Sequence, residues 1–391
     1  MSTETISSPT DALTSEIVPA ELLETIAEAA PALDRGDRQV SEFLPELGRA
    51  GLLDLGVAGR DGQGANGTLA DQAAVIETIA RHSLSLAFSV WGQRMAIDYL
   101  ATTGGDFADR HLESLRRGET IGVSGMAPAF KASAGAGELG LEVGTDASGT
   151  DAGNTGAGGT DTGRLALRGK LAWASNLYPG AVIVSAAYGS PSETIGSADR
   201  QSGPKSIVAF SVSEDGVTVG PELDLLALKG TASTSVSVDI SDLDHGQVIG
   251  EDFTGLLARW RPVAAVLQSS FCLGLAAAAH TGAEAGLRGI NEVFTDDVEE
   301  EGQALNEAKS RLGEVIERIS SGNRPEPSEV LSLRLESGRV ATAASGLEIR
   351  TAGGRGYAVG SHANRRFREA TFIPVQSPSE GQLRWELDRL G

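Results

Sequence analysis

The spacing of apolar residues changes twice along the chain, and the changes divide it into three parts. From Val18 onward Leu22, Leu23, Ile26 and Ala29 recur at intervals of three and four, and Phe43, Leu44, Leu47 and Ala50 repeat the pattern before Gly51-Leu52-Leu53-Asp54-Leu55. That spacing puts one apolar stripe on the face of a helix. A further amphipathic run from Asp71 to Ser89 carries on through Met95 and Leu100, after a Gly-rich turn from Gly62 to Gly67. A packed N-terminal helical domain is therefore predicted over 18–117. Residues 1–17 are acidic and rich in Ser and Thr, without the basic start or apolar core of a secretory leader, and read as a disordered tail.

Near Gly118 the period falls to two. Ile121 to Met126, Leu139 to Val143, Leu165 to Arg168, Val182 to Ala187, Ile207 to Val212 and Thr234 to Ile240 read as strands bounded by Gly, Ser, Asp and Pro. Short strands with no helix between them imply an antiparallel barrel or sandwich over 118–246. Gly144 to Gly163 and Gly189 to Gly203 hold too few apolar residues to offset their ordering entropy, so long mobile hairpin loops are predicted there. Their Gly-Thr-Asp triplets are too irregularly spaced for a calcium-binding repeat, and no metal is expected. Over 247–391 the helical period returns, at Pro262 to Ala279, Ala304 to Ile319 and Pro327 to Ala344, which predicts a C-terminal four-helix bundle. The acidic run Asp296 to Gly302 reads as a solvated surface.

Composition narrows the function. A formal charge of −21 on 391 residues argues against nucleic acid or an anionic membrane as partner. Pro262 to Ala279 is Ala/Ser-rich and carries Gln268, which makes it a core helix rather than a membrane span. The one cysteine, Cys272, lies in that stretch, so no disulfide framework exists and a buried, inert thiol is expected in a cytoplasmic protein. His82 and Trp91 are isolated in the N-terminal part and read as core or surface residues.

Three short motifs carry the chemistry. Gly353-Gly354-Arg355-Gly356-Tyr357 precedes a basic run in which Arg365 and Arg368-Glu369-Ala370 are spaced R-x-x-R-E-A; Gly169-Lys170-Leu171-Ala172-Trp173-Ala174-Ser175-Asn176 lies mid-chain; and Leu228-Lys229-Gly230-Thr231 opens an alternating strand. In their order along the chain they resemble the acyl-CoA dehydrogenase family, flavoproteins with G-x-K-x-W-I-T-N, G-x-R-G-[ST] and GGxGY motifs. The resemblance implies an N-terminal helical domain, a central β-domain and a C-terminal four-helix bundle that assembles a dimer or tetramer. It also implies FAD, bound by Met126, Trp173, Ala174 and Ser175, with Trp173 and Ser175 near the ring and Gly353 and Gly354 reaching the cofactor of a neighbouring subunit.

The departures from that family are as informative. Its T-E-P-x-x-G-S-D loop is reduced to Ser124-Gly125-Met126-Ala127-Pro128, and Gly289-Ile290-Asn291-Glu292 replaces its R-x-[FQ]-G. Arg350 is then the candidate for the flavin phosphates, against a plain helix-capping role. Removal of an α-proton needs a positioned carboxylate. Counting from Ala370 without gaps puts Ser377 at the family's base position, whereas Glu380-Gly381 imitates its E-G dipeptide three residues late. Ser379 and Gln382 predict a capping box that makes Glu380 the first helical residue. Some members carry the base on the first C-terminal helix, where the count reaches Ala264.

Three functions stay open. One is an acyl-CoA dehydrogenase with a displaced base that acts on acyl-CoA or a similar small substrate and passes electrons to an electron-transfer flavoprotein. Another is a monooxygenase on the same fold, using FAD or FMN reduced by a flavin reductase partner. The third is a non-catalytic paralogue in a mixed oligomer.

Overall fold

The computed structural model describes residues 17–59, 65–146, 164–197, 199–200 and 202–391. The N-terminal part is helical: α1 (Ala20–Arg35), α2 (Leu44–Arg49), α3 (Leu69–His82), α4 (Leu84–Thr103) and α5 (Asp106–Arg116). The run expected to continue from Asp71 through Leu100 is two helices. Ser83 breaks it with an extended backbone, and its hydroxyl accepts from the Leu86 N–H at 3.3 Å to start α4. Every residue of α4 from Leu84 to Ala101 is buried. A helix with no polar face belongs inside a protein, and some of its polar groups find partners: the Gln93 amide donates to the carbonyls of Leu115 and Thr120, and Arg94 pairs with Asp98 at 2.8 Å, whereas the Ser85 and Ser89 hydroxyls have none among the described residues.

The sheet follows. It contains β1 (Gly122–Gly125), β2 (Leu141–Asp146), β3 (Arg164–Ala174), β4 (Val182–Tyr188), β5 (Lys205–Ser211), β6 (Val217–Val219), β7 (Thr234–Ile240) and β8 (Val248–Gly250). Its order is β6-β7-β3-β2-β4-β5-β8, with β1 also on β4. The expected antiparallel arrangement needs correction, because β1 and β2 both run parallel to β4 and the sheet is mixed. β1 occupies Val182 to Ser185 of β4 and β2 takes Ala187 and Tyr188, so two strands share that strand's length. A helix, α6 (Ala127–Ser133), also intervenes between β1 and β2. Alternation reports which face a residue occupies and nothing about strand direction.

Of the two polar stretches, Gly144 belongs to β2, which meets β3 with Asp146 opposite Arg164, and Thr194 bridges Thr145. Residues 147–163 of the first loop, 198 and 201 of the second, 60–64 of the Gly62–Gly67 turn and 1–16 of the tail lie outside the described residues.

The C-terminal part packs α7 (Phe253–Ala285), α8 (Thr295–Ser320) and α9 (Pro327–Ala352) side by side, with α10 (Gly354–Tyr357), α11 (His362–Ala370) and α12 (Glu380–Leu390) against them. With a mean hydropathy of 1.6 over its most apolar window, α7 is long and apolar enough to cross a membrane, but 83% of that window is buried inside the fold. The acidic run expected on the surface forms the start of α8. Asp296 and Asp297 complement the helix dipole from the first turn, whereas Glu301 lies half-buried between Val298 and Leu305 on the inward stripe. Burial, and to a lesser degree Glu300, pushes its carboxyl up to about 7.

Candidate functional site

At the junction of the three parts is a cavity of about 330 Å³. α4 contributes Phe88, Trp91 and Gly92, the sheet Ser124 and Trp173 to Asn176, α7 Gln268, and the segment after α11 Phe372 and Val375 to Ser377. Phe88 stacks on Trp91 with ring centroids 5.6 Å apart and meets Phe372 edge-on at 4.9 Å. The Trp91 indole N–H is committed to the Ala264 carbonyl at 3.1 Å, which fixes α4 to α7. Among the described residues, no side chain lining this cavity is a carboxylate, imidazole, amine, guanidinium or thiol.

The sheet side is built by a local irregularity. The pairing of β3 with β7 shifts register between Leu171 and Ala174, and such a bulge re-aims the side chains beside it. Trp173 emerges 52% exposed at the cavity wall while Ala174 stays buried. The chain then turns at Asn176, whose φ of 65° is left-handed. The Asn176 amide donates to the carbonyls of Ser89 at 3.0 Å and Gly122 at 3.2 Å, joining α4 to β1 under the site. Gly92 leaves room for that amide, since a Cβ there would stand 3.2 Å from it.

Ser175 heads a chain of hydroxyls whose direction can be deduced. Each hydroxyl has one hydrogen. Thr231 Oγ1 lies 2.7 Å from the Leu228 carbonyl, an acceptor only, so its hydrogen is committed there. Ser233, 2.8 Å away, must donate to Thr231, and Ser175, 2.6 Å from Ser233, must donate to Ser233. Ser175 is left with only lone pairs to offer the cavity it lines.

The opposite wall is held through one carbonyl. The Ser377 C=O accepts from the Gln268 amide at 3.0 Å and from the Gln376 amide at 2.6 Å. Gln376 in turn accepts from Arg334 of α9 at 2.9 Å. Ser377, at the position reached by the ungapped count, thus lines the same cavity as Trp173 and Ser175. Glu380 does not. It opens α12, is engaged by Arg384, and lines a separate small cleft with Arg334 and Arg339. Ser379 caps α12 by accepting from the Gln382 N–H at 3.2 Å, but the reciprocal half of the expected box is replaced by a Gln382–Glu386 bond at 2.8 Å.

Other expected site residues lie apart from the cavity. Met126 is fully buried in the core, and its neighbours Ser124 and Ala127 line the cavity instead. Arg350 pairs with Asp297 at 3.2 Å and covers the Phe294 ring at 4.5 Å. Gly353, with φ 59°, ends α9, and both it and Gly354 have open space where a Cβ would project. The R-x-x-R-E-A run faces inward: Arg365 pairs with Glu369 at 3.1 Å, Arg368 with Asp34 of α1 at 2.6 Å, and Arg366 with Glu348. Cys272 is buried, and burial pushes its thiol up, as expected of an inert residue. Ala264 lines a second cavity of about 430 Å³, which shares Phe130 and Gln268 with the first. Lys205 and Arg324 stand in its wall without a carboxylate ion pair among the described residues, whereas Arg261 is engaged by Glu386.

The donor set of the first cavity fits a flat flavin ring: an exposed indole to stack on, an aromatic wall opposite, and hydroxyls and amides at the edge. The described residues of its walls include no cation for a phosphate.

No protein-family model and no curated protein matches the chain. Solved structures do. The glutaryl-coenzyme A dehydrogenase complex with glutaryl-CoA is 16% identical, with 100% of this chain and 97% of that chain covered and a TM-score of 0.79. Butyryl-CoA dehydrogenase from Megasphaera elsdenii is 14% identical over 99% of both chains, with a TM-score of 0.79. KijD3 in complex with FMN and dTDP-3-amino-2,3,6-trideoxy-4-keto-3-methyl-D-glucose is 19% identical over 97% of this chain and 93% of that one, with a TM-score of 0.73. The chain therefore has the acyl-CoA dehydrogenase-like fold of N-terminal helices, central mixed sheet and C-terminal helical domain.

Proposed function

We propose that the chain is a flavin-dependent oxidoreductase that uses reduced flavin and dioxygen to oxygenate a small substrate, rather than an α-proton-abstracting acyl-CoA dehydrogenase. The carrying observation is that the described residues of the cavity wall include no ionisable side chain, with Glu380 in a different cleft. A serine hydroxyl is too weak a base for an α-proton without a partner to activate it, and Ser377 shares the cavity wall with amide and aromatic residues. Ser175 supports the same reading: it can only accept, which suits the N–H at the reactive nitrogen of a reduced flavin and not the bare acceptor of the oxidised ring.

When bound, reduced flavin would supply the two electrons by which one oxygen atom reaches the substrate and the other leaves as water. Trp173 would stack on the ring, Ser175 would hold its edge, and Phe88, Trp91 and Phe372 would exclude water. The structure of KijD3 with FMN supports this cofactor class, and FAD remains the other candidate. A flavin reductase would be the electron-supplying partner, with further copies of this chain packed through the C-terminal helices. Lys205 and Arg324 in the adjoining cavity suit an anionic substrate handle such as the phosphates of an acyl-CoA or a related thioester.

Anaerobic titration of the protein with oxidised and with reduced FMN and FAD, followed by tryptophan quenching, tests this. Tighter binding of the reduced form is expected, and no acyl-CoA in a chain-length panel should bleach the bound oxidised flavin. Fast bleaching by any of them would overturn the proposal.

A further inference from the structure

Arg334 is 1% exposed and forms no carboxylate ion pair among the described residues. Its guanidinium donates to Gln376 Oε1 at 2.9 Å and to the Ile373 carbonyl at 3.3 Å, and its Nε is buried without a partner among the described residues. Leaving a buried cation without a counter-charge is costly. The charges around it do not supply one. Glu380 lines the cleft beside Arg334 but is held by Arg384; Arg339 adds a like charge to that cleft; Glu386 is engaged by Arg261. Cys272, whose thiol feels Arg334, is buried, with its thiol pushed up by burial.

The guanidinium is one amide away from the ligand cavity. Gln376 accepts from Arg334 through its oxygen and donates through its nitrogen to the Ser377 carbonyl, which Gln268 also holds. We propose that Arg334 is the positioning residue of this cavity: it orients Gln376, so that Ser377 is clamped from two sides, and its unneutralised charge makes the Ser377 wall favour a ligand group that is or becomes anionic. This rests on the cavity being the ligand site, and it goes further by stating which charge state that wall prefers.

A thiol placed at the wall reads the potential directly. In S377C the only other cysteine is the buried Cys272, so the pH dependence of iodoacetamide alkylation reports the introduced thiol. Combined with Arg334→Met, the thiol pKa should rise by about one unit relative to S377C alone, as a unit charge at this range in a protein interior implies. Arg334→Lys should keep the depressed value, which a purely structural role would not. If Arg334→Met loses the wild-type circular dichroism, Arg334→Gln, which keeps a donor but no charge, replaces it with the same expected rise. Equal thiol pKa values with and without the charge would overturn the proposal. The measurement needs no flavin: a shifted thiol in a protein that binds neither FMN nor FAD would leave Arg334 in this role and refute the flavin reading alone.

Discussion

Replacing Asn176 tests how the sheet side of the cavity is held. Its amide donates to two buried carbonyls, Ser89 at 3.0 Å and Gly122 at 3.2 Å, and its φ of 65° is one that Ala adopts poorly. Each lost hydrogen bond removes about 1 kcal/mol. The left-handed backbone adds about 1 kcal/mol for Ala, so Asn176→Ala should cost ~3 kcal/mol. Asn176→Gly loses the bonds but not the backbone compatibility and should cost ~2 kcal/mol. Asn176→Asp directs a carboxylate oxygen at two carbonyls and should be the worst of the three. Urea unfolding at one fixed protein concentration, followed by circular dichroism and tryptophan fluorescence, ranks them. An Ala variant within about 0.5 kcal/mol of wild type would show that the amide does not hold α4 to β1 in this way, and a Gly variant less stable than Ala would refute the backbone contribution.

Ser377→Glu places a carboxylate in the cavity wall, and anaerobic reduction of bound flavin by acyl-CoA should then gain on the order of 10²–10⁴-fold; no gain would remove Ser377 from the base position. Glu301 has its folded pKa raised, so its carboxyl favours the folded state below the ordinary carboxylate range and loses that contribution as pH rises toward about 7. Glu301→Gln should therefore raise the melting temperature at pH 8 and change it little at pH 4, read by thermal scans across that range. Glu348→Ala strands Arg366, whose side chain is 13% exposed, and should cost about 3–5 kcal/mol; replacing both by leucine should cost less than that single change, measured by urea unfolding.

Much of the fold is legible along the chain because long periodic segments carry their own signal. Thr234–Ile240 stands where its alternation puts it, and α7 is the buried helix that its Ala/Ser-rich run suggests. α6 escaped because its seven residues, begun by a proline at the second position, lie among strands, and β6 and β8 because three residues hold no period. The parallel pairing of β1 with β4 is a tertiary choice that no local pattern encodes. At the site, Trp173, Ala174, Ser175 and Ser377 were reachable from motifs. Phe88, Gln268, Gln376 and Arg334 were not, since they come from separate helices and a loop and acquire meaning only by meeting. The Arg365 to Ala370 motif was visible, but its arginines face Glu369, Glu348 and Asp34, partners that only the fold reveals.

The cavity has no owner among the three layers. Its walls run from Phe88 to Ser377, so it exists only while α4, the bulged end of β3, α7 and the segment after α11 are all docked. Local opening of any one of them abolishes it, although the other layers stay intact. A ligand bound there therefore stabilises the seams between layers more than any layer itself, and its free energy of binding appears as added cooperativity. Flavin retention would then be a stringent sensor of complete assembly: a variant that loosens the last docked segment should shed its ligand well before circular dichroism records any loss of helix or sheet.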